Sequence, residues 1–292
     1  MNSLAKINDF LSSLVLKTKW PVGGLSLCLI GLAGSGCHSV ESPVASGVGQ
    51  VANSSALSAE QTIIKGLWQQ TDQVIAKMGR PQRLYKVVPA KTALIVVDMQ
   101  NGFCLPTACI EIPDSRKIVP NINTIAAACR TADIPVYWIR LNNSSSSNTA
   151  GLWPLFQPRS PSSPDRPNPP EVFQDSGPAT EVYKELFVND SVDVQVSKNR
   201  YSALIPGSSS LGKLLKDAGR DTLIVTGIGT DVCCESTARD AMMLDLKVIF
   251  VADATATVNP VFHEVTLMHV KMFFGDVVST EELLGEVRNI KK

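Results

Sequence analysis

Two cysteines stand side by side in GIGTDVCCESTARDA, residues 227–241, directly after the apolar run TLIV. A thiol where a strand gives way to a helix is placed to act as a nucleophile. The partial positive charge of a helix N-terminus lowers a cysteine pKa, and the thiolate is the attacking species. Two further groups follow predicted strand ends: Asp98 ends ALIVVD, and Lys198 follows VDVQVS. An ammonium near the sulfur favours the thiolate further. A carboxylate within reach takes the thiol proton and later returns it to a leaving group. Backbone N–H groups of GIGTDVC then bind the oxyanion of a tetrahedral intermediate. Asp98, Lys198 and Cys233 thus make a triad without histidine. The three histidines agree with this: His38 lies in the N-terminal tail, and His263 and His269 share one predicted helix.

Taken singly, each residue has a plainer reading: a capping aspartate, a solvated lysine, a small buried cysteine. They gain weight together, provided their strands are neighbours and all three open into one crevice.

The elements that must bring them there alternate. Predicted strands are 92–97, 135–140, 192–196, 222–228, 247–253 and 276–279. Predicted helices cover 118–132, 210–219, 234–245 and 263–274, with Thr280 capping a last one. This alternation predicts an α/β fold: a three-layer αβα sandwich around a mostly parallel, about six-stranded Rossmann-like sheet. In such sheets ligands bind at the carboxyl ends of the strands.

Other segments frame this domain. Residues 1–37 carry Lys17 and Lys19, then VGGLSLCLIGLAG, which resembles a secretory signal. Cys37 after AGSG is a candidate lipid-anchor site, although Gly34 stands where bacterial lipoproteins usually carry leucine. Export, with a periplasmic or membrane-anchored location, is the expectation; a cytoplasmic protein with an N-terminal extension is the alternative. Residues 38–57 read as a flexible linker. Ser58 and Gln61, at capping-box spacing, start a helix within 58–84 that precedes the main domain, 85–292. Inside that domain, residues 142–180 are dense in Ser and Pro and form a long insertion. Its Trp153 and Phe156, with Phe103 and Tyr201, are the aromatic candidates for a substrate pocket.

The chain has 292 residues and zero formal net charge, with no basic stripe, so nucleic acid is not an expected partner. Seven cysteines occur without CxxC or Cys/His zinc spacing, and no metal or cofactor is expected.

ALIVVDMQNGF, SKNRYSAL, TLIVTGIGTDVCCESTARDAM and VIFVADATA…HEVTLMHVKMFFGDVVSTEEL, in that order, resemble the isochorismatase-like cysteine hydrolases. That family includes nicotinamidases, N-carbamoylsarcosine amidases and ureidoacrylate amidohydrolases. The resemblance spans roughly residues 85–290. It implies Asp98 as general base, Lys198 as its charged partner and Cys233 as nucleophile. It also implies a cis peptide between Ile228 and Gly229, aiming the Gly229 and Cys233 N–H groups at the substrate oxygen. A homo-oligomer is common in the family. Between the two thiols, helix geometry agrees with the motif: the residue after Cys233 is rotated ~100° away from the crevice, which makes Cys234 a core residue.

The departures narrow the chemistry. Isochorismatases that cleave a vinyl ether lack the nucleophilic cysteine, so its presence points to a small amide or ureido substrate. CLPTACIEIPDSR has no histidine, against the metal-binding set of nicotinamidases. The frequent Asp of MQNDF is Gly102 here, from which no functional conclusion follows. The alternatives are a vinyl ether hydrolase and a catalytically silent binding protein on the same fold.

Overall fold

The strands are β1 (Thr92–Val97), β2 (Val136–Leu141), β3 (Val194–Lys198), β4 (Thr222–Ile228), β5 (Lys247–Ala256) and β6 (Asp276–Val278), of which β1 is an apolar run and the edge strand β3 alternates apolar and polar residues. The computed structural model describes residues 58–106, 108, 110–142, 173 and 177–290. The signal-like segment 1–37, the linker 38–57, and most of the insertion with Trp153 and Phe156 lie outside the described residues.

The strands form one six-stranded sheet in the order β3-β2-β1-β4-β5-β6, every neighbouring pair parallel. A parallel sheet is covered on both faces, which is why β1 and β4 are buried at every position. Side chains alternate between two cores. Leu94 and Val96 pack with Ile122, Ile125 and Cys129 of α2 (Val119–Thr131) and Leu283 of α6 (Thr280–Arg288). Ala93, Ile95 and Val97 face the opposite layer. There they meet Leu211 and Leu215 of α3 (Leu211–Asp217), Ala238 of α4 (Glu235–Met243) and Leu267 of α5 (Pro260–His269). Each large aliphatic side chain removed from water contributes about 1.5–3 kcal/mol, so the two stripes together fix the layering.

The helix α1 (Ala59–Lys77) starts at the expected capping box of Ser58 and Gln61. It docks on the α5 layer through Trp68 Nε1, which donates to Glu264 Oε2 at 2.7 Å, and through a Lys271–Asp72 ion pair.

Three local expectations are corrected. Lys198 is the last residue of β3 rather than the residue after it, because the strand runs Val194–Lys198 and pairs Lys198 with Leu141. The cap of α6 is Ser279, not Thr280: Ser279 forms a capping box with Glu282, while Thr280 bonds to the Asp253 carboxylate. The chain also does not pass from β4 directly into a regular helix. A single π-helical turn, Thr230–Cys234, intervenes before α4.

The strand order reverses between β1 and β4, and a crevice opens beyond their carboxyl ends. Gly227 permits the close approach there. Its φ is 109°, and a Cβ would run into the Val97 carbonyl oxygen. Asp98, the first residue beyond β1, takes a left-handed φ of 53°, a conformation aspartate tolerates better than most residues.

Candidate active site

Each predicted chemical group leaves the sheet at that crevice. Asp98 follows β1, Lys198 ends β3 and reaches across the end of β2, and Cys233 sits in the π-helical turn after β4. The side chains meet. Asp98 Oδ2 lies 2.8 Å from Lys198 Nζ. Lys198 Nζ donates to Cys233 Sγ at 3.3 Å and to the Arg200 carbonyl at 3.0 Å. An ammonium has three N–H donors, and here all three have partners. Outside this cluster the Asp98 carboxylate has no hydrogen-bond partner among the described residues. The cluster is dry: Asp98 and Lys198 are each 1% exposed and Cys233 6%.

Burial decides the resting protonation states. Burial works against the Lys198 ammonium, but the charges of Asp98 and then Cys233 outweigh it, and its pKa is raised. The Cys233 thiol is pushed well up, first by burial and then by the Asp98 charge, against the opposing pull of Lys198. The expectation of a thiolate favoured by a helix N-terminus and an ammonium is therefore corrected. Loss of water and a nearby carboxylate work against the thiolate and outweigh both effects.

The peptide joining Ile228 and Gly229 is trans, not cis as expected. A trans bond is favoured by about 3 kcal/mol at a non-proline residue. Within β4, Gly227 has a positive φ, and beyond the strand Gly229 is extended at φ −69°, ψ 129°. The Gly229 carbonyl accepts from Val232 N and Cys234 N, both at 3.1 Å.

The cluster opens on a cavity of about 350 Å³, near the lower end of the ~300–1,000 Å³ usual for small-ligand sites. Phe103 and Tyr201, two of the four aromatic candidates, line it, as does Gly229. Trp153 and Phe156 lie outside the described residues. The sequence reading missed Phe173, which is fully buried, lines the cavity and stacks on Phe103 with ring centroids 4.5 Å apart. Gly102 makes room for it: a Cβ there would lie 2.6 Å from the Phe173 ring. The missing side chain at residue 102 was the available signal. Asp231, Thr257 and Val258 were also missed as lining residues.

Cys234 turns away beneath the turn and is fully buried, its thiol 3.5 Å from the Ile228 carbonyl oxygen. Among the described residues no group of three His, Cys, Asp or Glu side chains is placed to hold a metal ion. A larger cleft of about 700 Å³ lies beside α2 and α6, where Asp133 and Arg220 line it, but it contains no cysteine, serine or histidine.

Known proteins resemble this chain in sequence and fold. A family profile described as the isochorismatase domain matches residues 92–282. A ureidoacrylate amidohydrolase of Pseudomonas syringae pv. syringae is 32% identical over 223 residues, covering 70% of this chain and 86% of that protein. Nicotinamidase 3 of Arabidopsis thaliana is 32% identical over 192 residues, 65% of this chain and 86% of its own. The crystal structure of a cysteine hydrolase from Pseudomonas syringae pv. phaseolicola superposes with a TM-score of 0.62 at 29% identity, covering 72% of this chain and 98% of that one. With the profile spanning most of the sheet and the crevice residues at its strand ends, the chain belongs to the isochorismatase domain family.

Proposed function

We propose that the protein is a cysteine-dependent hydrolase that cleaves a small amide or ureido C–N bond through a thioester on Cys233. The observation that carries this is the buried contact of Asp98, Lys198 and Cys233 at the wall of one cavity. The nicotinamidase and ureidoacrylate amidohydrolase relatives support carbon–nitrogen bond hydrolysis as the reaction class.

The substrate carbonyl enters the cavity against Sγ. Asp98 takes the thiol proton as the sulfur attacks, which a resting thiol requires. Lys198 holds the carboxylate and the sulfur in register and offsets the negative charge passing between them. Backbone N–H groups of the turn that carries Cys233 stabilise the oxyanion. Asp98 then returns the proton to the departing nitrogen, and the C–N bond breaks. Water, deprotonated by Asp98, clears the thioester, releasing the acid and restoring the thiol. The thiol favours this over vinyl ether cleavage, and the complete cluster favours it over a silent binding protein.

A screen of small primary amides and ureides, read as ammonia or amine release, tests the reading. Turnover by the wild type and none by Cys233→Ala is the expected result. Turnover that survives in Cys233→Ala overturns the covalent route.

A further inference from the structure

We infer that the cavity selects uncharged or cationic amides against carboxylate-bearing ones, and that Asp231 imposes this choice. The inference rests on the reading of Cys233 as nucleophile. Asp231 lies two residues before Cys233 and lines the same cavity. Thr257 Oγ1 donates to its Oδ1 and fixes the carboxylate. Both groups stand beside Gly229: a Cβ on Gly229 would lie 3.6 Å from Asp231 Oδ1 and 3.6 Å from Thr257 Oγ1. The carboxylate is therefore held at the turn where the acyl group must sit.

Among the described residues nothing on the cavity wall balances that charge. Among the described residues lining it there is no arginine, lysine or histidine. The Lys198 ammonium stands behind the wall, paired with Asp98, and its three N–H groups are spent on Asp98, Cys233 and the Arg200 carbonyl. His263 bonds through Nδ1 to Thr230, and burial holds it towards its neutral form. Among the described residues Asp231 forms no ion pair. Apart from Asp98, Tyr201 and Cys233 the remaining described wall is mostly apolar, with Phe103, Ile112, Leu141, Phe173 and Val232. Such walls lower the local dielectric and strengthen repulsion between like charges. A carboxylate accepts several hydrogen bonds, so the N–H groups of a carboxamide or ureide match it where a second carboxylate is repelled.

Iodoacetamide and iodoacetate test this without a known substrate. The thiolate displaces iodide from either reagent, and the two differ only in carboxamide against carboxylate. Alkylation of Cys233 is followed by peptide mass spectrometry, and each rate is divided by that on N-acetylcysteine amide. In the wild type the normalised iodoacetamide rate exceeds the iodoacetate rate by about tenfold or more. Raising the salt narrows the gap. Asp231→Asn brings the ratio towards one, and any change in thiol acidity cancels because both reagents attack one sulfur. A merely structural Asp231 would slow both reagents and leave the ratio alone. A wild-type ratio near one, or a ratio untouched by Asp231→Asn, overturns the inference and leaves the nucleophile reading standing. Should the variant not fold, the wild-type salt series decides: a gap that does not narrow overturns it. If neither reagent labels Cys233 while the unfolded chain is labelled there, the nucleophile reading fails and takes this inference with it.

Discussion

Asp98 Oδ2 and Lys198 Nζ lie 2.8 Å apart although their strands, β1 and β3, are not neighbours. The lysine spans the end of β2 to reach the carboxylate, and both ends of the contact are buried. Breaking one half of such a pair leaves an uncompensated charge in the interior. Lys198→Met should therefore cost about 3–5 kcal/mol in stability, and Asp98→Asn combined with Lys198→Met should recover much of it. Urea denaturation of the three variants checks this. A loss below about 1 kcal/mol in Lys198→Met would mean that water reaches the pair.

Asp98 raises the Cys233 pKa and is also the proposed base, so its removal should split acidity from activity. In Asp98→Asn the thiol becomes easier to ionise, because burial alone then opposes Lys198. The thiolate absorbance near ~240 nm should rise at lower pH than in the wild type. Amide turnover should nevertheless fall by about 10²–10⁴, since nothing returns the proton to the leaving nitrogen. Activity that rises with the thiolate would remove Asp98 from the proton path.

Away from the site, Asp193 governs part of the acid stability. Burial alone would raise its pKa, but Arg130, the Asn189 N–H and Trp138 Nε1 at 2.8 Å outweigh burial and hold it low. A depressed carboxylate gives stability above its unfolded pKa of ~3.9, lost as pH falls through the folded value. Asp193→Asn should be less stable at neutral pH and should lose less between about pH 4 and pH 2 than the wild type. Urea midpoints across that range report it.

Gly102→Ala should press on the Phe173 ring and spoil its stack on Phe103. Overpacking of this kind costs about 1–3 kcal/mol, here charged to one wall of the cavity. KM should rise roughly tenfold with kcat little changed. An unchanged KM would show that the Phe173 side chain does not touch substrate.

The layered fold was legible because both faces of a parallel sheet are covered, so β1 and β4 appear as uninterrupted apolar runs. The chemical residues were legible because Asp98 and Lys198 stand at the ends of predicted strands and Cys233 in the turn that follows one. What escaped the sequence depends on distances between segments far apart in the chain. Gly102 reads as a turn residue until Phe173, 71 positions later, is seen against it. Asp231 looked like part of the nucleophile motif, and only the cavity shows its carboxylate at the wall. The resting state of Cys233 was misjudged for a similar reason. Local position suggests a helix N-terminus, whereas burial and a carboxylate from β1 set the balance.

The central claim is a covalent acyl enzyme on Cys233. Rapid acid quench during turnover of an accepted amide, followed by intact and peptide mass spectrometry, tests it most directly. An acyl mass increment on the peptide carrying Cys233, absent in Cys233→Ala and discharged on longer incubation, is the result expected. Steady hydrolysis with no increment at Cys233, under conditions where an added thioester standard survives the quench, would contradict it.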